Sequence, residues 1–471
     1  MAAKGTPTTA EETWALRRPE RRLLLSALMI ALLGYLMLLG ARPKDGFAVQ
    51  LADWAPLLVF AAAFGAVHGA FVIARFRGDQ LVLPTTALLS AFGLLAQVRM
   101  GLFGETEPDW MELVLLPVAL AALVLVALAG RAGRYAMARR ATWFWAGLSL
   151  LILGVLLVTG QRFRGAVYAV GFITPTELLK LTLVLFTAGF IDQHLKALSR
   201  WRSLLPPLRR LWPLLLVWGL VTALLLMQRD LGLVLILGVA LLVMLVAGTG
   251  QPGYAIYGLA LAAGAGAALI SLFSHGQRRL AVWLDPFADP TGAGWQVLQG
   301  LSGMFAGGLW GEGFSEARPR YAPIAESDFI YSVLAEELGY VGSLLLIAVF
   351  AVLFIRLLTL AARARTPFGL MVTIGITSVL AVQTLLNLGG VTKALPLTGI
   401  TLPMISHGGS SLVTVFASLG LVLAISDGEP VKPRAKATAV KKTKTSSSKA
   451  PAGGKRRAPS SRAKAGTGRK A

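Results

Sequence analysis

The chain has 471 residues, of which 55% are hydrophobic and only 14% are charged. A soluble domain carries charge on about a quarter of its residues, so this composition excludes an ordinary soluble globular protein. The absence of cysteine excludes disulfides, thiolate catalysis and Cys-ligated metals. Apolar runs of about 18 or more residues recur, each long enough to cross roughly 30 Å of hydrocarbon. We therefore predict an all-α fold, a polytopic bundle of transmembrane helices.

Twelve segments are long and apolar enough to be membrane spans. The first follows a basic stretch, and we interpret it as a retained helix because it is long for a signal peptide and many spans follow. The predicted spans are 23–40, 53–75, 81–101, 110–130, 142–160, 174–191, 211–227, 230–249, 254–273, 329–357, 367–388 and 403–426. They define a transmembrane domain over residues 23–426, after a cytoplasmic N-terminal segment at 1–22.

The distribution of Lys and Arg between the loops predicts the orientation of the spans. An even number of spans places both termini on the same side. Basic residues concentrate in four loops, 75–80, 131–141, 192–210 and 356–366. The loop 102–109 is acidic instead. By the positive-inside rule the basic loops and both termini are cytoplasmic, which places the large polar loop 274–328 outside.

The chain ends in a basic tail. Residues 430–471 contain fourteen Lys and Arg and no acidic or aromatic residue, and so supply +14 of the net charge of +22. Such a segment cannot bury enough apolar surface to fold, so we expect a disordered cytoplasmic tail over 427–471. Attraction to anionic lipid, at roughly 1 kcal/mol per basic residue near the surface, is its expected role. No motif indicates nucleic acid as a partner.

Ionisable residues within the predicted spans are candidates for function. Glu177 and Lys180 open the sixth span, and their spacing of three places them on one helical face. They form either a neutralised pair that steers helix packing or a polar wall of an outward-facing cavity. Arg162 and Arg164 are either loop charges in solvent or ligands of an anionic headgroup. Asp230 is either a charged kink at the membrane edge or a functional residue.

The loop 274–328 holds two Asp-Pro pairs, at Asp285 and Asp289. Asp before Pro often only forms a turn. These two, however, precede the amphipathic stretch QVLQGLSGMFAGGLW, which lies in the interface or re-enters the membrane. A carboxylate at this boundary, near Arg278 and Arg279, is a candidate general base acting on an amphiphilic substrate. The four His residues show no metal-ligand spacing, so a zinc site is not expected.

Several long motifs in order give this chain a family resemblance. They are WLDPFADPTGAGWQVLQGL, GGLWGEG, AESDFIYSVLAEELGYVGSLLL and LPLTGITLPMISHGGSSL, with TPTELLKL and QRDLG upstream. Together they resemble the SEDS family (shape, elongation, division, sporulation) of RodA/FtsW peptidoglycan glycosyltransferases, over roughly residues 142–426. Twelve spans are typical of its RodA-like subgroup.

The resemblance implies roles for individual residues. The essential aspartate of the motif D-P-x-x-x-D-P-x-G-x-G corresponds to Asp289, whose implied role is to deprotonate the acceptor sugar hydroxyl. The resemblance adds substrate-binding candidates to Arg278 and Arg279 of the loop. The full set of substrate-binding candidates is Glu177, Lys180, Arg162, Arg278, Arg279, Asp328 and Ser410. The chain departs from the family at His407, where an aromatic residue is usual. It departs again at Glu326, where the family has histidine.

The function implied by the resemblance is polymerisation of lipid II into glycan strands for elongation or division. A class B penicillin-binding transpeptidase is the implied partner, and the bacterial cytoplasmic membrane the implied location. A divalent cation, Mg²⁺ or Mn²⁺, is left open as a cofactor, and no other is expected. Two alternatives remain: a flippase for the lipid-linked precursor, which has little need of a base in an outside loop, and a scaffold with a degraded site.

Overall fold

Fifteen α-helices make up most of the chain in this computed structural model, which describes residues 9–40, 51–103, 109–163, 166–169, 174–200, 206–272, 274–313 and 325–427. The predicted all-α class is confirmed. In chain order the helices are α1 (Ala10–Leu16), α2 (Arg18–Gly40), α3 (Ala55–Ile73), α4 (Val82–Arg99), α5 (Trp110–Gly130), α6 (Thr142–Thr159), α7 (Pro175–Ser199), α8 (Leu208–Met227), α9 (Leu231–Thr249), α10 (Gly253–Leu272), α11 (Ser274–Leu284), α12 (Trp295–Ala306), α13 (Ile330–Ala362), α14 (Pro367–Val391) and α15 (Gly409–Ser426).

Eleven of these helices are long and apolar enough to cross a membrane, counted over the described residues. The chain is therefore a multi-pass membrane protein. The ninth predicted span, 254–273, is also helical as α10, but its described apolar part, Gly253–Ala267, is too short to be counted. Each of the twelve predicted spans thus corresponds to a helix.

The N-terminal segment is more ordered than its prediction as a plain cytoplasmic stretch. Thr9 caps α1 by accepting a hydrogen bond from the Glu12 N–H at 3.2 Å, in the T-x-x-E arrangement of a capping box. The helix α2 then begins at Arg18, earlier than the predicted start at residue 23. Arg18, Arg21 and Arg22 therefore belong to α2, and Arg17 lies at the junction of the two helices.

The two strands β1 (Gln161–Phe163) and β2 (Ala166–Ala169) form a small antiparallel hairpin between α6 and α7. No pattern in the sequence predicted these strands. The hairpin involves few residues, so the helical class is unchanged.

Small residues allow the helices of the bundle core to approach closely. A Cβ atom added at Gly420 of α15 would overlap the Leu123 carbonyl of α5. One added at Gly93 of α4 would lie 2.8 Å from the Ile405 carbonyl oxygen. Such close backbone approach is typical of helices that associate in membranes, where van der Waals packing drives association.

The helix α13 is broken near its start. Gly339 has φ 68° and ψ −171°, so a short buried helix precedes the kink and the long apolar span follows it. The segment 308–313 pairs with this break, because Glu312 N–H donates to the Glu336 carbonyl at 3.0 Å and Tyr340 N–H donates to the Gly308 carbonyl at 2.9 Å. The large loop is thereby joined to α13 by backbone hydrogen bonds.

The predicted amphipathic helices of the loop 274–328 are present as α11 and α12, separated by a 3₁₀ turn at Pro286–Ala288. Residues 314–324 of that loop lie outside the described part of the chain. The apolar residues Leu309 and Trp310 are exposed after α12. This placement agrees with a segment at the membrane boundary.

Candidate active site

The Asp289 carboxylate is held by the backbone of the turn that follows it. Its Oδ1 accepts a hydrogen bond from the Gly292 N–H at 3.0 Å, and its Oδ2 accepts one from the Ala293 N–H at 2.8 Å. The residue remains exposed. Each carboxylate oxygen has two lone pairs, so both oxygens can accept a further proton or hydrogen bond. The turn fixes the position of a carboxylate that is open to a ligand.

Two glycines allow this turn to close. A Cβ atom at Gly292 would overlap the Asp289 carboxylate, and one at Gly294 would overlap the Pro286 carbonyl oxygen. Neither glycine has a positive φ, so close approach rather than backbone conformation requires them. Asp285 is also exposed, and it caps the 3₁₀ turn by accepting the Phe287 N–H at 3.0 Å.

Glu177 and Lys180 form an ion pair in the first turns of α7, with 2.7 Å between Nζ and Oε2. Lys180 also donates to Gln383 Oε1 of α14 at 2.8 Å. The Gln383 amide in turn donates to the Thr401 carbonyl at 3.0 Å. All three side chains border a cleft between α7, α14 and α15. The two side chains therefore form the pair that their spacing predicts, and they also border a cleft.

Asp230 lies directly before α9, and the sequence left it open as a kink at the membrane edge or a functional residue. Its carboxylate caps α9 by accepting the Leu233 N–H at 2.9 Å. Burial raises the pKa of the Asp230 carboxyl, and the charge of Glu177 acts in the same direction, while the Leu233 N–H and the charges of Lys180 and Arg279 oppose that effect. The side chain therefore has a defined structural role as a helix cap, and charges on α7 and α11 act on it.

The connector between α14 and α15, residues 392–408, joins these parts. Arg279 and Trp283 of α11 donate to its carbonyls at Thr398, 3.2 Å, and Lys393, 3.1 Å. Asp328 also lies next to the connector, since a Cβ atom at Gly399 would be 3.4 Å from its Oδ2. The connector therefore contacts α11 and lies beside Asp328.

A second set of contacts holds the segment that carries Asp328. The Asn387 amide donates to the carbonyls of Asp328 at 2.9 Å and of Ile400 at 2.6 Å. Asp328 Oδ1 also accepts the Ser327 hydroxyl at 3.0 Å. Ser410, at the start of α15, accepts the N–H of Thr174, the residue that caps α7. Ser410 is thus bonded to the start of α7, which carries Glu177 and Lys180, and Asp328 is bonded to α14.

The remaining predicted site residues are placed less fully. Arg278 is exposed on α11. Arg162 lies in β1, but its side chain is outside the described part of the chain, as is Arg164 altogether. Among the described residues, no three His, Asp or Glu side chains are arranged to hold a metal ion.

Comparison with known proteins identifies the family of the chain. The model of the cell cycle protein family FtsW/RodA/SpoVE matches residues 80–429, so α2 and α3 precede the matched region. The peptidoglycan glycosyltransferase RodA of Mycobacterium tuberculosis is 33% identical over 439 residues, which cover 88% of this chain and 91% of that relative.

Two solved structures are also similar. A peptidoglycan synthase complex, described as coordinating polymerization and crosslinking, includes a chain with 30% identity and a TM-score of 0.58, covering 74% of this chain and 97% of that one. The rod shape determining protein RodA of Thermus thermophilus has 27% identity and a TM-score of 0.52, covering 74% of this chain and 96% of that one. This chain belongs to the FtsW/RodA/SpoVE family of cell cycle proteins, the SEDS family.

Proposed function

We propose that this protein is a peptidoglycan glycosyltransferase that polymerises lipid II into glycan strands. The relatives in its family carry that activity in their names. The observation that carries the proposal is the Asp289 carboxylate, which two backbone N–H groups fix while it stays exposed. A general base needs this combination of fixed position and open access.

In the proposed reaction, Asp289 accepts the proton of the acceptor sugar 4-hydroxyl. The hydroxyl oxygen then bonds to the anomeric carbon of the donor, and the bond to the undecaprenyl diphosphate breaks, so that the diphosphate leaves with the electron pair. Arg278, exposed on the same loop, and Arg279 supply positive charge for this leaving group. Cationic side chains stabilise such developing negative charge.

The Glu177–Lys180 cleft contributes a polar surface within the bundle. Lys180 is nine-tenths buried and has two hydrogen-bonding partners, Glu177 and Gln383, so its ammonium is held in one place. We propose that this surface orients the polar part of the lipid-linked substrate. A substrate bound in this orientation keeps its reactive atoms close to the Asp289 carboxylate.

A lipid-precursor flippase is the second candidate. The same cleft favours it, because a polar surface between spans suits a transported headgroup. The turn around Asp289 favours the enzyme, since two glycines and two backbone amides are arranged to hold one exposed carboxylate. A scaffold with a degraded site needs none of these features.

The proposed setting is the bacterial cytoplasmic membrane, with both termini on the cytoplasmic side. In support, the basic loop at Arg75 and Arg77 and the end of α15 meet at one end of the bundle, where Asp427 accepts the Arg77 N–H at 2.7 Å. A class B penicillin-binding transpeptidase is the proposed partner, and anionic lipid is the proposed contact of the basic tail, which lies outside the described residues.

For a cofactor, we propose that any Mg²⁺ or Mn²⁺ requirement would be met mainly by oxygen atoms of the substrate. In the described part of the chain no three acidic or His side chains converge on one point. Mg²⁺ commonly binds through one or two carboxylates together with phosphates. Activity in EDTA compared with activity in added Mg²⁺ tests this proposal.

The decisive experiment follows polymerisation of lipid II by the purified protein, with and without a transpeptidase partner, by glycan length on a gel. Asp289→Asn should lower the rate by about 10²–10⁴-fold, the usual loss when a general base is removed. Asp285→Asn is the matched control, because it alters an exposed Asp-Pro turn four residues away, and it should cost much less. Equal losses at both positions, or an active Asp289→Asn protein, would contradict the proposal.

A further inference from the structure

Glu112 and His407 link two parts of the chain that are far apart in sequence. His407 Nε2 lies 2.9 Å from each carboxylate oxygen of Glu112, which is in the first turn of α5. The backbone N–H of His407 donates to the Glu326 carbonyl at 2.8 Å. His407 therefore connects α5, the segment before α13 and the end of the α14–α15 connector.

The stretch 402–410 contains one substrate-binding candidate, Ser410, and contacts the segment that carries another, Asp328. Its Ser406 hydroxyl donates to the Ser327 carbonyl at 2.6 Å, next to Asp328. Three residues after His407, Ser410 accepts the N–H of Thr174, which caps α7. A shift of this stretch would therefore move Asp328, Ser410 and the first turn of α7 relative to one another.

The backbone of this stretch also requires support. Met404 has φ 65°, a left-handed conformation that is unfavourable for a residue with a side chain. Such conformations persist only where surrounding contacts determine them. Gln97 of α4 supplies one contact by donating to the Ile405 carbonyl at 3.0 Å. The Glu112–His407 contact supplies another, from α5.

We propose that Glu112 and His407 are a positioning pair, which fixes the stretch 402–410 and thereby places Asp328 and Ser410 for substrate binding. This inference rests on the proposed function. The pair is partly exposed, with 16% and 32% of the two side chains accessible, so its contribution to overall stability is small. Its effect is on the geometry of the site.

The test measures lipid II polymerisation by the full-length protein and its variants over a range of lipid II concentrations. His407→Ala and Glu112→Ala should each lower kcat/KM by about tenfold, mainly through KM, since a misplaced binding group can cost up to about a hundredfold. His407→Gln should retain most activity, because the Gln amide presents a donor close to where Nε2 lies. Met111→Ala, an exposed neighbour of Glu112 in the same turn, is the matched control and should leave kcat/KM unchanged.

Two further measurements separate positioning from a general loss of structure. The double alanine variant should be no worse than either single variant, because both remove one contact. Hydrogen exchange of the amides in 402–412 should rise in the alanine variants and not in His407→Gln, with the unfolding temperature unchanged. Exchange needs no substrate, so it remains informative if the wild-type protein fails to polymerise lipid II, a result that would refute the proposed function itself.

Other outcomes would overturn the positioning role. Full kcat/KM in His407→Ala would do so, as would additive losses in the double variant. A similar loss in Met111→Ala would assign the effect to the start of α5 in general. Failure of His407→Gln to retain activity, together with a lowered unfolding temperature, would make the pair a structural contact only.

Discussion

Charged side chains are held differently near Arg17 and near Asp289, which lie at two ends of the helix bundle. At the end formed by the start of α2 and the loop 75–80, Arg17 and Glu20 are completely buried and paired with each other. Asp79 is paired with Arg356 of α13 at the same end. At the end that carries Asp289, the carboxylate is exposed and bound by backbone N–H groups.

The charged side chains at the first end hold helices together, whereas the carboxylate at the second end is free to bind a ligand. The Arg17 guanidinium binds Glu20 and the Phe76 carbonyl and lies 5.0 Å from the centre of the Phe71 ring, so its donors are already used. A carboxylate held by backbone amides keeps lone pairs for a substrate. Stability and chemistry should therefore respond to substitutions at different ends of the bundle.

The largest expected effect on stability is at the buried end. Arg17→Ala leaves Glu20 buried beside His68, whose Nδ1 is 2.6 Å from its Oε1. Removing one partner of a buried ion pair costs about 3–5 kcal/mol, so the unfolding temperature in detergent should fall well below that of the wild type. Arg22→Ala, which changes an exposed arginine of α2, is the control. The Arg17→Ala protein should still polymerise lipid II at temperatures below its unfolding transition. Loss of polymerisation by the folded variant would show that this end of the bundle also serves the reaction.

At the other end, Gly292→Ala should affect activity more than stability. The added methyl group would overlap the Asp289 carboxylate and displace it. Misplacement of a reacting group by about 1 Å can cost about 10²-fold, so we expect a rate loss of about 10- to 100-fold. Thr291→Ala, exposed in the same turn, should retain activity. Wild-type rates in Gly292→Ala would show that the observed turn is not needed for the reaction.

Glu177 and Lys180 combine features of both ends, because they are paired and also border a cleft. Single changes to Ala should each destabilise the protein, and the double change should be milder than their sum. We expect a coupling free energy of about 0.5–3 kcal/mol between residues in contact. Unfolding of the four proteins of the cycle in one detergent gives this value. A strictly additive cycle would mean that the ion pair does not form.

The smallest effect is expected from the basic tail. A protein that ends after Asp427 loses fourteen positive charges but nothing that contacts Asp289 in the described residues. Screening over about 8 Å at physiological salt excludes direct electrostatic help across a bilayer. Polymerisation in detergent should be unchanged, while sedimentation with anionic vesicles should weaken. A folded but inactive truncated protein would contradict the proposed topology.

Local spacing was enough to predict some of the site. Glu177 and Lys180 are three residues apart on one helix, and their pairing follows from helix geometry. The contact of Lys180 with Gln383 crosses 203 positions, and that of Glu112 with His407 crosses 295, so no local pattern indicates them. The break at Gly339 was not predicted, because the residues before and after it were interpreted as one continuous span, 329–357.

The fold was more predictable than the site for the same physical reason. Hydrophobic length determines where a helix crosses the membrane, and that signal lies within each segment. Asp230 shows the limit, since its sequence neighbours describe a turn whereas its electrostatic partners, Lys180 and Arg279, lie on other helices. The TPTELLKL and QRDLG motifs marked both positions without indicating that the charge of Lys180 acts on Asp230.

The α14–α15 connector also has a consequence for biogenesis. It is among the last parts of the bundle to leave the ribosome, yet it contacts α11, α14 and the segment before α13. A nascent chain stalled before residue 392 would already contain the helices α1 to α14 but none of those contacts. The polar site is therefore completed only after nearly all of the helices have been synthesised.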